Sequence, residues 1–182
     1  MNHSSLSITF PSGKTEQVPF DTPISNLLQH FEPTNDEILA VRINNEICSL
    51  DSNVEINCKL EPVLKNTKDG ANIYRRSLCL LLATAAHNLF PASHLLVGHS
   101  LGYGYYYTLD TGAPITQEQI TSLENEMQRL VQQDLPVTTK TISYEDAIKL
   151  FEELNLTETR KQLNYIAPQK IKINCIDNFS DM

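Results

Sequence analysis

Residues 73–110 read IYRRSLCLLLATAAHNLFPASHLLVGHSLGYGYYYTLD. The first half of this stretch is an apolar run with no β-branched residue between Tyr74 and Thr84, which favours a helix over a strand. Because the run is apolar on nearly every side, we expect a core helix over residues 74–90 that is covered on several sides. The second half alternates glycine with tyrosine, a pattern typical of a strand that backbone or a ligand approaches closely. We therefore expect the rest of the chain to be arranged around this helix and this strand.

The composition indicates a folded, acidic protein. The chain has 182 residues, of which 41% are hydrophobic and 20% are charged, and its formal net charge is −8. This length fits one medium domain or two small ones. An acidic surface repels phosphate backbones, so we expect neither strong non-specific nucleic-acid binding nor a DNA partner. The apolar run is far shorter than the roughly 20 residues of a membrane span, and the N-terminus lacks signal-peptide features, which predicts a cytoplasmic protein without a membrane partner.

The four cysteines are predicted to be buried and reduced. Cys48, Cys58, Cys79 and Cys175 each lie in an apolar run, and none belongs to a CxxC pair. Buried thiols of a cytosolic protein fit this pattern better than disulfides do. Their spacing does not match a zinc site, so we predict no metal and no cofactor.

Residues 6–64 carry the pattern of a small sheet with one helix. LSITF at residues 6–10 alternates apolar and polar residues, as a half-buried strand does, and residues 16–18 return as its hairpin partner. Asp21 and Pro23 suit the cap and the first residue of a helix. Further strands follow, the last of them within residues 54–64. The order β-β-α-β-β-β predicts a β-grasp fold, in which one helix lies across a small mixed sheet.

The region after the core helix alternates helices and strands. Thr116 and Gln119 form a capping box, and Ser143 suits the cap of another helix. Ile171, Ile173 and Cys175 indicate one face of a final strand. We expect an α+β domain here. The buried stripe of the helix after Thr116 is predicted to consist of Ile120, Leu123, Met127, Leu130 and Val131.

These motifs resemble two known modules. The segments FPSGK, DTPISNLL and AVRINNEICSLD resemble the TGS domain, a β-grasp module of threonyl-tRNA synthetases and some GTPases. The segments IYRRSLCLLLATAAHNLFP, LLVGHSLGYGYYYTLD, ITQEQITSLENEM and ISYEDAIKLFEEL resemble the second N-terminal domain of threonyl-tRNA synthetase, which alanyl-tRNA synthetase shares and which hydrolyses misacylated tRNA. The resemblance implies a TGS-like β-grasp domain at residues 1–64, a linker at 65–73 and an α+β editing-type domain at 74–182.

The catalytic groups of that family do not carry over to this chain. Its core helix bears an HxxxH pair, which places both imidazoles on one helical face. Arg76 and Leu80 stand at those positions, and neither side chain can act as a neutral-pH base or bind zinc. The family's CxxxH pair corresponds to Cys175 and Phe179. The resemblance therefore implies a catalytically degenerate domain without catalytic or metal-binding residues.

Three histidines remain in this region, and each is more consistent with an ordinary role than a catalytic one, because a lone histidine needs a positioned partner. His87 is expected to face solvent or the linker, and His94 to follow a turn. His99 would lie at the mouth of the pocket that the resemblance implies.

Three further segments are similar to the N-terminal region of bacterial uridine-kinase-like proteins, in which the same pair of domains precedes a P-loop kinase domain. They are RRS, GHSLGYGYYY and CIDNFSDM. No GxxxxGK[ST] occurs in this sequence, so the groups that hold ATP phosphates and magnesium are absent from it. This resemblance implies the N-terminal part, truncated at its C-terminus, of a longer ATP-dependent uridine or nucleoside kinase, with the kinase domain as a downstream partner.

The combined prediction is a non-catalytic ligand-binding or regulatory module for a nucleotide, a nucleoside or an RNA end. Two alternatives stay open: a freestanding editing hydrolase for mischarged threonine tRNA, and a protein-interaction module that uses a sheet edge. The candidate ligand pocket consists of Arg76, Leu80, His99, Gly102, Tyr103, Gly104, Tyr105 and Cys175. The candidate phosphate contacts are Lys65, Lys68, Arg75 and Arg76.

Overall fold

The computed structural model describes residues 5–31, 37–102, 104–166, 169–176 and 179–181. The chain divides into two compact units, Met1–Arg76 and Ser77–Met182. Helices and several separate sheets alternate along it, so the protein is of a mixed α/β type. Among the described residues, none of the helices has the length and apolarity that crossing a bilayer requires.

The first unit is built on a five-stranded mixed sheet in the order β2-β1-β7-β4-β5. β1 pairs antiparallel with β2 and parallel with β7, and β7 pairs antiparallel with β4. β3 and β6 form a separate two-stranded sheet. The strands are Ser5–Thr9 (β1), Thr15–Pro19 (β2), Thr22–Pro23 (β3), Ile38–Ile43 (β4), Glu46–Cys48 (β5), Asn53–Val54 (β6) and Cys58–Leu64 (β7), and a 3-10 helix spans Ile24–His30.

One face of this sheet is closed by the 3-10 helix. Ile8, Val41 and Leu60 from three adjacent strands are fully buried, and the helix contributes Ile24 and Leu27 to the same apolar cluster. Alternation along β1 buries Leu6, Ile8 and Phe10, so the strand predicted from LSITF is confirmed. Each such side chain stabilises the fold by about 1.5–3 kcal/mol relative to an exposed one.

The prediction that Asp21 caps a helix and that Pro23 is its first residue is wrong. Thr22 and Pro23 pair with Asn53 and Val54 as strand residues, and the helix that follows has no side-chain cap. Asp21 adopts a positive φ of 66°, and its carboxylate accepts a hydrogen bond from Asn53 Nδ2 at 2.8 Å. The segment is therefore held by long-range pairing, which local capping rules do not foresee.

Helix α1 runs over Lys68–Leu89 and begins earlier than the sequence indicated, so residues 68–73 of the predicted linker are helical. Thr67 explains the early start. Its Oγ1 accepts a hydrogen bond from Gly70 N at 3.1 Å and donates one to the carbonyl of Leu64 at 2.6 Å. Hydroxyl side chains at this position satisfy the first amides of a helix.

The glycine- and tyrosine-rich segment forms a hairpin, so the prediction of a single strand is wrong. Strands β8 (His94–Leu101) and β9 (Gly104–Asp110) pair antiparallel as a two-stranded sheet. Gly102 provides the turn with a φ of 59°, a conformation that glycine adopts without steric cost. His94 starts β8.

The remaining elements of the second unit are helices α2–α4 and a sheet in the order β10-β11-β12. Both predicted caps are confirmed: Thr116 and Gln119 form the capping box of α2, and Ser143 accepts from Asp146 N at the start of α3. The bounds are Gln117–Gln132 (α2), Thr138–Ser143 (β10), Tyr144–Glu153 (α3), Thr157–Gln162 (α4), Lys170–Ile176 (β11) and Phe179–Asp181 (β12).

Two apolar clusters hold the second unit together. The first joins α1, α2 and the hairpin around Ala85, Ala86, Leu123 and Leu130. The second joins β10, β11, α3 and the residues on either side of α4, and its buried members are Ala147, Phe151, Leu163, Ile171, Ile173 and Cys175.

Burial refines one sequence prediction and corrects another. Leu78 of α1 is 36% exposed and Leu81 is only half-buried, so part of the apolar surface of the core helix is left uncovered. Val131, assigned to the buried stripe of α2, is 63% exposed. An open groove lined by Leu78, Leu81, Met127 and Val131 separates the exposed parts of α1 and α2.

Candidate functional site

Arg76 and Leu80, which the resemblance aligns with the HxxxH pair, lie four residues apart on α1 and therefore on one helical face. Arg76 is exposed, and Leu80 is half-buried. The carbonyl of Leu80 accepts a hydrogen bond from Thr84 Oγ1 at 2.9 Å, which satisfies the hydroxyl of a fully buried residue. This face of α1 offers a permanent cation and an aliphatic chain, so it supplies neither a base nor a metal ligand.

Cys175 lies on β11 and is only 7% exposed. Its side chain packs in the second apolar cluster, and Ser180 Oγ donates a hydrogen bond to its sulfur at 3.2 Å. Phe179, which the resemblance places at the second CxxxH position, is buried as well. The sequence pattern indicated burial of this thiol, and a thiol buried in an apolar cluster is poorly placed to attack a substrate.

The hairpin carries the other predicted pocket residues. His99 is exposed, and its ring lies nearly parallel to that of Tyr106, with centroids 5.8 Å apart. Gly102 and Gly104 are exposed beside the turn. Tyr105 is half-buried, whereas Tyr103 lies outside the described residues.

A contact that the sequence did not reveal connects the hairpin to α1. The hydroxyl of Tyr107 lies 3.1 Å from the sulfur of Cys79. Burial, together with this hydrogen bond, raises the pKa of the Tyr107 hydroxyl well above its ordinary value. Tyr105 and Tyr107 are two residues apart on one strand face, and this period-2 spacing was the available signal.

The four candidate phosphate contacts differ in their availability. Lys65 lies 3.7 Å from a carboxylate oxygen of Glu37. Arg75 donates to the carbonyl of Ala71 and to the side chain of Asn72, so its guanidinium is engaged on its own helix. Lys68 and Arg76 are exposed. These two are the better placed to meet an anion.

The second unit contains a partly open pocket that the sequence prediction missed. Its volume is about 50 Å³, and His87, His94, Thr159, Phe179 and Asp181 are among its lining residues. His87 was expected to face solvent or the linker, but it is half-buried, and its ring centroid lies 5.3 Å from that of Phe179. These residues come from α1, β8, α4 and β12, which are far apart in the chain, so no local motif marks the cavity.

Metal-ligand geometry is not evident in the part of the chain that the structure describes. No group of three or more histidine, cysteine, aspartate or glutamate side chains there could hold a metal ion.

Comparison with known proteins finds similar sequences. No protein-family model matches the chain. It is 28% identical over 149 residues to a threonine--tRNA ligase of Desulforamulus reducens, a match that covers 81% of this chain and 24% of the ligase. The chain is similar to threonine--tRNA ligases. The ligase of Maridesulfovibrio salexigens is 29% identical over 146 residues, which cover 80% of this chain and 23% of the ligase. That of Listeria monocytogenes serotype 4b is 29% identical over 150 residues, which cover 82% of this chain and 23% of the ligase.

The chain spans about a quarter of the length of the curated relatives it matches. The similarity therefore concerns a threonine--tRNA ligase-like module. What that module does in this chain depends on the residues that occupy its site.

Proposed function

We propose that this chain is a non-catalytic binding module, derived from the editing-type region of a threonine--tRNA ligase, that takes a nucleotide or an RNA end. The single observation that carries the proposal is the burial of Cys175 and Phe179 at the family's second motif. Ester hydrolysis needs a water that a base holds and deprotonates beside the carbonyl, and such assistance contributes about 10²–10⁴-fold. With an apolar ring at one position and a covered thiol at the other, this motif offers no base.

Two features of the first unit support its interpretation as a TGS-type β-grasp domain. The parallel pair of β1 and β7 has an antiparallel strand on either side, and the 3-10 helix packs on one face of that sheet. A helix packed on one face of a mixed sheet is the arrangement expected of a β-grasp domain, and here that helix is of the 3-10 type.

The exposed guanidinium of Arg76 is the proposed anion contact. A guanidinium can bind a phosphate through two parallel hydrogen bonds, which an ammonium group cannot do. Lys68, exposed near the start of the same helix, adds positive charge. We further propose that the module acts beside a nucleoside-kinase domain in a longer protein, a proposal that depends only on the sequence resemblance, since the relatives named above are tRNA ligases.

The test combines a binding and a deacylation assay. Uridine monophosphate and a short single-stranded RNA are titrated into the native chain, into Arg76→Ala and into Lys149→Ala, whose lysine is exposed on α3. Loss of one charge-assisted contact is expected to weaken binding about tenfold in Arg76→Ala and leave the lysine control unchanged. In parallel, threonine tRNA mischarged with serine should lose serine only at the uncatalysed rate.

The editing-hydrolase alternative would replace the proposal if serine were released and if Cys175→Ala or His99→Ala abolished the release. A protein-interaction role is the second candidate, because apolar side chains are exposed on the hairpin: Val97 at 51%, Leu101 at 67% and Tyr106 at 52%. Nucleotide and RNA binding that is absent, or unchanged in Arg76→Ala, would favour this role.

A further inference from the structure

Strand β10 is an edge of the three-stranded sheet in the second unit. It pairs with β11 on one side, and among the described residues no strand pairs with its other side. Every residue of β10 except Ile142 is exposed. Such an edge presents a row of unpaired N–H and C=O groups, which can form a ladder with one further extended segment. Its sequence, TTKTIS, is rich in β-branched residues and lacks glycine and proline, so it suits this pairing.

Lysines lie on both faces of this edge. Directly opposed residues of an antiparallel pair share a face. Lys172 of β11 is opposite Thr141, whereas Lys140 is opposite the buried Ile173. Lys140 is therefore on the face that carries the apolar cluster, and Lys172 is on the other face. Both lysines are exposed, and neither forms an ion pair within the described part of the chain.

Other cations of this unit are already neutralised. Arg129, Arg160 and Lys161 each form an ion pair with a glutamate of their own helix or of a neighbouring one. The chain as a whole carries a net charge of −8, so its carboxylates are in excess. Lys140 and Lys172 nevertheless leave positive charge on both faces of an unpaired edge, which is available to a negatively charged partner.

This arrangement selects the class of partner. A strand added to the edge alternates its side chains between the two faces, so consecutive residues reach Lys140 and Lys172. The added strand would lie about 9–10 Å from β11 in the sheet plane, a gap that a lysine and a glutamate side chain can close together. A nucleic-acid backbone laid on one face would meet the lysine of that face only. A second copy of β10 would bring two Lys140 residues together, which like-charge repulsion disfavours.

The end of β10 limits where the partner can carry its acidic residues. Ser143 Oγ donates a hydrogen bond to Asp146 Oδ2 at 2.7 Å, so a negative charge lies beside the last residue of the strand. An acidic residue of the partner gains less at this end than in the middle of the strand.

We propose that the β10 edge binds an extended acidic segment of a partner protein as an added strand. One glutamate lies opposite Lys140, and a second lies opposite Thr141 and in line with Lys172. An apolar residue opposite Ile142 extends the apolar face. The ladder hydrogen bonds provide affinity, and the two carboxylates provide specificity. The site shares no residue with the anion contact proposed at Arg76, so either proposal can fail without the other.

The probe is the acetylated and amidated hexapeptide TVEEVT, which has the length of β10. Its palindromic sequence places glutamates opposite Lys140 and Thr141 and a valine opposite Ile142 in either strand direction. It should shift the backbone amide NMR signals of residues 138–143 of the full chain in a saturable way. The uncharged match TVQQVT should bind about threefold to tenfold more weakly, because two charge pairs are lost. TPEEPT keeps both charges but cannot complete the ladder, so it should not cause these shifts.

Variants of the chain test the two lysines separately. Lys140→Gln and Lys172→Gln should each weaken TVEEVT binding about twofold to threefold and leave TVQQVT binding unchanged. Lys149→Gln, which alters an exposed lysine on α3, should affect neither peptide.

Equal affinity for TVEEVT and TVQQVT would overturn the inference, as would TVEEVT binding that neither lysine variant weakens. An equal response to TPEEPT would show that the edge does not pair, and the absence of any response at residues 138–143 in a folded native chain would also refute the proposal. A uridine hexanucleotide that shifts the same signals more than TVEEVT does would replace the acidic segment with a nucleic-acid backbone.

Discussion

The five-stranded sheet of the first unit and the β8–β9 hairpin of the second both consist of paired strands, but the two regions differ greatly in burial. In the sheet, Ile8, Val41 and Leu60 are completely buried beneath the 3-10 helix. In the hairpin, every described residue from Leu96 to Leu101 is exposed. A sequence pattern that indicates a strand therefore does not reveal whether another layer covers that strand.

The difference also shows where each region obtains its stability. Strands of the first unit gain it from apolar side chains that meet across a sheet and a helix. The hairpin is attached to its unit by fewer buried contacts, chiefly Leu95 and Leu109 in the α1–α2 cluster and the Tyr107–Cys79 hydrogen bond. An isolated two-stranded hairpin is marginally stable in water, so these few attachments hold it in place.

The largest expected effect is on the free energy of unfolding, when a buried residue of the sheet and an exposed residue of the hairpin are each replaced by alanine. Ile8→Ala should lower the free energy of unfolding of the first unit by about 2–5 kcal/mol, because it leaves a cavity in a fully buried site. Val97→Ala, at an exposed hairpin position, should change the stability of the second unit by less than about 0.5 kcal/mol. Chemical denaturation followed by NMR signals from each unit measures both values. Similar losses for the two variants would contradict the comparison.

A second pair of variants distinguishes the cost of steric overlap at one glycine from the cost of a left-handed backbone conformation at another. A β-carbon at Gly70 would overlap the backbone carbonyl of Leu64, so Gly70→Ala should cost the first unit about 1–3 kcal/mol. Gly102, at the hairpin turn, has open space around it and a φ of 59°. Gly102→Ala should cost the second unit only about 1 kcal/mol, through the left-handed conformation alone. Equal stability of the native chain and Gly70→Ala would show that the start of α1 is not packed closely against the Leu64 carbonyl.

The smallest effect concerns acid stability of the second unit. Glu126 of α2 accepts two hydrogen bonds from Arg129, each at 2.7 Å, and one from Asn88 of α1 at 2.9 Å. The bonds to Arg129, followed by that to Asn88, lower the pKa of Glu126 to about 2. Its folded-state pKa lies below the ordinary value of 4.5, so its contribution is present above about pH 4.5 and is lost as the pH falls towards 2.

Thermal melts of the native chain and Glu126→Gln should therefore differ most near neutral pH and converge at about pH 2. Glu124→Gln, which alters an exposed carboxylate on the same helix, serves as the control and should not show this convergence. A constant difference between the native chain and Glu126→Gln across the range would rule out this role for the carboxylate.

Features with a local cause could be predicted from the sequence. The capping box of Thr116 and Gln119 and the Ser143 cap depend on residues within one helical turn, and both are present. The start of the 3-10 helix could not be predicted, because Thr22 and Pro23 are drawn into pairing with Asn53 and Val54 about thirty residues away. The exposure of Val131 has a similar origin, since it depends on what lies beside α2.

The candidate site was less predictable than the fold. Substitution of the HxxxH positions is visible in the sequence, and so is the apolar setting of Cys175. The cavity around His87 and Asp181 is not visible there, because four elements with no shared motif form it. Of the four positions that the resemblance marks as catalytic in the family, Phe179 alone is among the residues that line this pocket.

The exposed hairpin also determines how this protein behaves at high concentration. Residues 94–109 contain no lysine, arginine, aspartate or glutamate, and neither strand has a further strand paired on its outer edge among the described residues. Uncharged exposed edges promote contact between copies. At neutral pH the net charge of −8 keeps copies apart, and this repulsion weakens as acid protonates the carboxylates. The protein should therefore remain colloidally stable in neutral buffers of low ionic strength and lose solubility in mildly acidic, high-salt ones.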